Sequence, residues 1–139
     1  MIRLVRRCDF SAAHVLARPE WSDEHNRRVY GKCANPAGHG HNYTAELCFE
    51  GPLDPRTGRL LDPARLDALL RERVVGPLDG RFLNRDVPVF GRTVPTAENI
   101  ARHIWDTLAG GVSPARLVGV RLIETRNNSV EYDGGEDSA

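Results

Sequence analysis

The sequence predicts an α+β domain in which four strands and two helices follow the order ββααββ, with the strands in an antiparallel sheet. Three observations carry that expectation. Residues 41–50 alternate between apolar or ring side chains and polar ones. Two segments with helical apolar spacing follow, each behind a helix-start signal. The chain then closes on two β-rich runs separated by Asn127 and Asn128.

The elements follow in order. "MIRLVRRCDFSA" mixes β-branched and apolar residues with charges and reads as a first strand ending near Phe10 or Ala12. "PEWSDEHNRRVYGKCANPAGHG" is rich in turn formers; an excursion of that length inside a compact domain is usually functional. In the second strand His41, Tyr43, Ala45, Leu47 and Phe49 alternate with Asn42, Thr44, Glu46, Cys48 and Glu50, the period of a half-buried strand. "GPLDPRTGR" turns the chain. Asp62 as cap and Pro63 at the first helical position then open a helix buried along Leu66, Leu69, Leu70 and Val74. A second helix starts at Thr96 and runs to about Leu108, with Ile100, Ile104 and Leu108 on one face, until "GGVSP" stops it. "RLVGVRLIETR" and "SVEYD" are the last two strands, and asparagine at their turn tolerates the positive φ of a tight hairpin. All 139 residues read as one domain with residues 134–139 as a loose tail. So thin a sheet leaves one face for another subunit.

Composition narrows the function classes. Nineteen basic residues balance nineteen acidic ones, so no net field draws in nucleic acid or an anionic membrane. No apolar run approaches the ~20 residues that span a bilayer, and the first residues lack the apolar stretch of a signal peptide. Three unevenly spaced cysteines argue against a disulfide framework, which makes the cytoplasm the default compartment. Lys32 is the only lysine, directly before Cys33.

The chemistry gathers around the histidines. His39 and His41 are two apart, so in extended chain both imidazoles lie on one side of the strand. His14 ends "FSAAH" at the exit of the first strand; if the first two strands pair antiparallel, it faces the other two. Three neutral imidazoles and no thiolate describe a catalytic zinc site with an open position. The plainer reading of His14 is a satisfied core histidine. His25 reads as solvated, and His103, on a helix, as a packing or interface residue.

Cys33 lies in a polar loop six residues before His39. Beside zinc and a lysine its thiol is expected to ionise easily and to serve as base or nucleophile. It could instead be a fourth ligand closing a structural site. Cys8 and Cys48, within strand patterns, read as small apolar fillers. Glu124 shares strand parity with Val118, Val120 and Leu122 and so points to the buried face, where a carboxylate needs a partner. That partner is either an arginine or the paired N–H donors of a guanidine-like ring edge. At Thr96 and Glu98, capping and a favourable helix dipole suffice as explanation.

Taken together, "FSAAH", "YGKCANPAGHGHNY", "PLDGRFLN", "PTAENIARHIW" and "ETRNNSVEY" resemble, in that order and over nearly the whole chain, the 6-pyruvoyltetrahydropterin synthases and their relatives the 6-carboxytetrahydropterin synthases. The cysteine-to-histidine gap and the "ETRNNSVEY" ending lean toward the pyruvoyl branch. The resemblance implies a tunnelling (T-) fold with two helices on one face of the sheet. It further implies three subunits closing their sheets into a barrel and two such trimers stacking as a homohexamer. It implies zinc on His14, His39 and His41, a catalytic thiol at Cys33, Asp79 in a proton relay, and a pterin pocket at Glu124 with Thr96 and Glu98 beside it. The implied substrate is 7,8-dihydroneopterin triphosphate. The carboxy branch, which feeds queuosine-type deazapurine synthesis, would release acetaldehyde as well as triphosphate. A generic zinc hydrolase is disfavoured because no acidic residue flanks His39-Gly40-His41 to act as base.

One departure stands out. Where the family reads Leu-Asp-His, this chain reads Leu78-Asp79-Gly80. Glycine cannot carry a proton through a side chain, which opens a further reading: a pterin-binding homologue with weakened or altered catalysis.

Overall fold

The structure is a computed structural model and describes residues 1–135. Two long strands frame it: β1 (Ile2–His14) and β2 (His39–Gly51), antiparallel and paired without interruption from Ile2↔Gly51 to His14↔His39. The alternation that predicts β2 runs on in register along β1, so Phe10, Ala12 and His14 share a face with Tyr43, His41 and His39. β1 therefore extends to His14 and β2 begins at His39, each two residues further toward the excursion than periodicity suggests.

The helices follow their start signals. In α1 (Asp23–Tyr30) the Ser22 hydroxyl accepts from the His25 amide, so the excursion is partly helical, with a 3₁₀ turn at Gly31–Ala34 behind it. In α2 (Pro63–Leu70) Asp62 accepts from the Ala64 amide. The helical path then continues through a π turn, Arg71–Val75, to Leu78. Leu66, Leu70, Val74 and Leu78 are all buried at a strict spacing of four. An α-helix returns every 3.6 residues, so that spacing drifts around it; the wider turn absorbs the drift and keeps the stripe on the sheet. α3 (Ala97–Leu108) starts at Thr96, whose hydroxyl accepts from the Asn99 amide, and buries Ile100, Ile104 and Leu108 as its spacing predicts.

The sheet has five strands rather than four and is mixed rather than purely antiparallel, in the order β3-β1-β2-β4-β5. The added strand β3 (Arg81–Phe82) lies parallel to Ala12 and Ala13. With two residues, it carries no periodicity to read. β4 (Arg116–Thr125) and β5 (Asn128–Tyr132) close the sheet. Their turn falls at Arg126 and Asn127, and no non-glycine residue among those described has positive φ, so the asparagine argument for this hairpin does not hold. A bulge opposite Cys48 and Phe49 resets the parity of β4: Leu117 is buried, while Val118 turns to the opposite face beside Val5 and Cys48.

The core lies between one sheet face and the two longer helices, around Tyr43, Leu47, Phe49, Val74, Ile104 and Leu122, all 1% exposed or less. Each such side chain contributes ~1.5–3 kcal/mol by leaving water. The other sheet face is polar and uncovered. There Glu46 sits between Arg7 at 2.8 Å and Arg121 at 3.0 Å, and Glu50 between Arg3 and Arg116, each at 2.9 Å, all directly opposed across strands. No helix among the described residues is long and apolar enough to cross a membrane. Of the tail, residues 136–139 lie outside the described residues, while Gly135 donates to Asp133 Oδ1 at 2.9 Å.

Candidate functional site

The ladder between β1 and β2 ends on the pair His14↔His39, with His41 opposite Ala12. Because all three side chains emerge on the core face, the imidazoles converge, with ring centroids 4.6, 5.1 and 4.9 Å apart. One nitrogen from each lies within 4.8 Å of the others, an arrangement that could hold a metal ion. His14 and His39 bring their Nε2 atoms to 3.0 Å. Gly38, with φ of +75°, leads into β2 where a Cβ would stand 2.8 Å from the Phe82 ring.

His14 is 1% exposed, and its Nδ1 lies 2.8 Å from the Pro95 carbonyl, directly before the cap of α3. A carbonyl accepts only, so Nδ1 carries the proton and Nε2 presents its lone pair to the other two rings. Burial holds the His14 imidazole below its ordinary pKa, outweighing the Pro95 bond; burial and the nearby His41 do the same for His39. Both favour the neutral form that ligates. Three neutral imidazoles, one oriented by a backbone carbonyl and no carboxylate among them, fit a borderline-soft divalent ion such as zinc.

Around this cluster the residues sort clearly. Cys33 is free and half-buried on the 3₁₀ turn, which is tied to the chain beyond His14 by the Leu16 amide donating to the Cys33 carbonyl at 2.9 Å. It is not part of the metal-capable group. Glu124 stands where β4 and β5 lose register and accepts from Asn128 Nδ2 at 3.3 Å; no arginine pairs with it among the described residues. Its charge acts on His14, His39 and the Tyr43 phenol, so it borders the cluster. Tyr43 is buried, its hydroxyl 3.4 Å from His14 Nδ1, and burial with Glu124 pushes its phenol well up. Thr96 spends its hydroxyl on the α3 cap, and Glu98 is exposed in the first turn.

Asp79 is set apart. Its Oδ1 accepts from the Ser11 amide at 2.8 Å on the outer edge of β1, and no hydrogen bond or ion pair joins it to Cys33 among the described residues. Gly80 follows with φ of +70° and open space where a Cβ would lie. His25 is not simply solvated: it stacks on Trp21 at 4.1 Å. His103 packs edge-on against Phe90 at 5.3 Å, as a packing histidine would. Sequence reasoning misses the Pro95 carbonyl, a backbone atom with no side-chain signature. It counts Tyr43 only as a buried strand position, although "HGHNY" places it two residues beyond His41.

An α+β sheet ending in a three-imidazole cluster beside a free thiol defines a metal-capable enzyme domain. The chain belongs to the 6-pyruvoyl tetrahydropterin synthase family, whose profile its residues 3–135 match. It is 43% identical over 129 residues to human 6-pyruvoyl tetrahydrobiopterin synthase, covering 93% of this chain and 89% of that one. The Drosophila melanogaster protein of the same name is 42% identical over 132 residues, covering 94% and 79%. The solved 6-pyruvoyl tetrahydropterin synthase of Caenorhabditis elegans superposes with a TM-score of 0.89 at 36% identity, covering 96% of each chain.

Proposed function

We propose that the chain is a zinc-dependent lyase that converts 7,8-dihydroneopterin triphosphate to 6-pyruvoyltetrahydropterin with loss of triphosphate, acting in the cytoplasm. The observation that carries this reading is the convergence of His14, His39 and His41 in a chain so close to synthases of that name.

His14, His39 and His41 would hold the ion, which when bound supplies Lewis-acid polarisation of the substrate's side-chain hydroxyls. Glu124 accepts the paired N–H donors of the pterin ring, a charge-assisted contact that orients the ring against the imidazoles. The Thr96 segment and Glu98 line the neighbouring edge. The Cys33 thiolate takes a proton from the side-chain carbon and returns one to the ring as the redox state shifts from side chain to pterin. The buried His14 and Tyr43 floor keeps water from the reacting face.

Asp79 would complete the relay from a neighbouring subunit, since within one chain it meets Ser11 instead. A homohexamer of two stacked trimers supplies that neighbour. Support comes from the free outer edges of β5 and of β1 before Ala12, and from the exposed Ile2 and Val5.

Gly80 favours a second reading, in which pterin and metal bind but proton transfer is slow. One incubation decides. The zinc-loaded protein is supplied with dihydroneopterin triphosphate and the products are identified. Triphosphate with 6-pyruvoyltetrahydropterin supports the lyase; acetaldehyde assigns the carboxy branch; tight binding without turnover selects the binding homologue.

A further inference from the structure

The ladder between β1 and β3 stops at Ala13 and Phe82, and beyond it one side chain takes over as backbone partner. The Asn84 carboxamide meets both polar groups of Val15: its Oδ1 accepts from the Val15 amide at 2.8 Å, and its Nδ2 donates to the Val15 carbonyl at 2.9 Å. A carboxamide offers an acceptor and a donor side by side, as a peptide edge does, so it stands in for a strand residue. Asn84 is itself held. Leu83 before it is fully buried, and Asp86 after it accepts from the Phe82 amide at 2.9 Å. Val15 in turn lies between two residues that belong to the site. His14 precedes it as one of the three imidazoles, and Leu16 follows it and donates its amide to the Cys33 carbonyl at 2.9 Å.

We propose that Asn84 is a positioning residue for the site: by gripping Val15 it sets the spacing between the metal ligand His14 and the Cys33 thiol. The assignment rests on the metal-and-thiol reading of the site. The β1–β2 ladder ends at His14, and the Pro95 carbonyl meets only the His14 ring, so the first bonds to the backbone beyond His14 are those of Asn84. Consecutive Cα atoms are about 3.8 Å apart, so a shift at Val15 is passed to the ligand on one side and to the tether of the thiol turn on the other. A second carboxamide supplies a comparison within the same segment. Asn26, which is buried, grips Arg18 in the same way: its Oδ1 accepts from the Arg18 amide at 2.8 Å, and its Nδ2 donates to the Arg18 carbonyl at 3.1 Å. Arg18 lies two residues beyond Leu16 and adjoins neither the ligand nor the tether.

The test uses the full chain and three readouts. Zinc affinity is measured by competition with a chelating dye, ligand geometry by the visible spectrum of the cobalt-loaded protein, and the thiol by the rate at which iodoacetamide alkylates Cys33 in the metal-free protein. Asn84→Ala is expected to weaken zinc roughly tenfold, the low end of losses for groups that orient ligands, and to shift the cobalt spectrum. The alkylation rate should change by about twofold or more, since thiol reactivity follows its surroundings. Asn26→Ala loses the same pair of bonds and should leave zinc affinity and the cobalt spectrum as in the parent, which separates positioning from loss of stability. Asn84→Asp still accepts from the Val15 amide but cannot donate to its carbonyl; it should move all three readouts in the same direction, and it carries the test if the alanine variant does not fold. Parent-like zinc affinity and spectrum in the Asn84 variants, an equal loss in Asn26→Ala, or an unchanged thiol rate while zinc affinity falls would each overturn the assignment and leave the metal reading standing. A parent chain that takes up no zinc overturns the metal reading, and the assignment with it.

Discussion

The Nδ1 of His14 lies 2.8 Å from the carbonyl oxygen of Pro95, so the residue before the α3 cap decides which His14 nitrogen faces His39 and His41. The Tyr43 hydroxyl, at 3.4 Å from the same nitrogen, is a much poorer partner. Tyr43→Phe should therefore leave zinc affinity within about tenfold of the parent, at the low end of losses for outer groups. A loss as large as that of His14→Ala, read by competition with a chelating dye, would make Tyr43 the orienting group instead.

Cys33 stands outside the three-nitrogen cluster. Cys33→Ala should lower turnover by roughly 10²- to 10⁴-fold, the usual worth of an acid–base group, with zinc content unchanged. Loss of zinc from that variant would place the sulfur on the metal.

Much of this site is legible in the sequence, for a definable reason. His39 and His41 share a face because strands have period two, and His14 joins them once antiparallel pairing of the first strands is assumed. What is not legible arises where the chain departs from regular period: the bulge that turns Val118 outward, the π turn under Val74, the two-residue β3, and a bond to a backbone carbonyl. α1 does carry a sequence signal, a Ser22 cap followed by the acidic first turn of Asp23 and Glu24.

Gly80→His tests the lost relay. A Cβ meets nothing within 4 Å there, although φ of +70° charges a non-glycine residue about 1 kcal/mol. Histidine is among the residues that tolerate this region. The expected result is a rise in turnover with dihydroneopterin triphosphate; an unchanged rate in a folded variant means the relay does not limit this protein.

Gly38→Ala should be far less tolerated. Its Cβ would meet the Phe82 ring at 2.8 Å and the His14 carbonyl oxygen at 3.3 Å, on a left-handed backbone. Destabilisation of ~1–3 kcal/mol is expected from urea midpoints. Wild-type stability in that variant would show that the entry to β2 is not constrained as described.

Acid should weaken the metal-free fold. His14, His39 and His103 all have imidazoles held below the ordinary value, chiefly by burial. Below about pH 6.5 the unfolded chain takes up protons that the folded chain resists, so stability is full above that pH and falls as pH drops toward the folded-state values. Thermal midpoints from pH 7.5 to 5.5 should decline, and zinc should raise them. A flat profile would contradict the burial of these rings.

Zinc X-ray absorption on the purified protein reads the central claim directly. Three imidazole nitrogens and one further oxygen or nitrogen at about 2.0–2.1 Å are expected, with no sulfur in the shell. A scatterer at about 2.3 Å, or a folded chain that takes up no zinc, would contradict it.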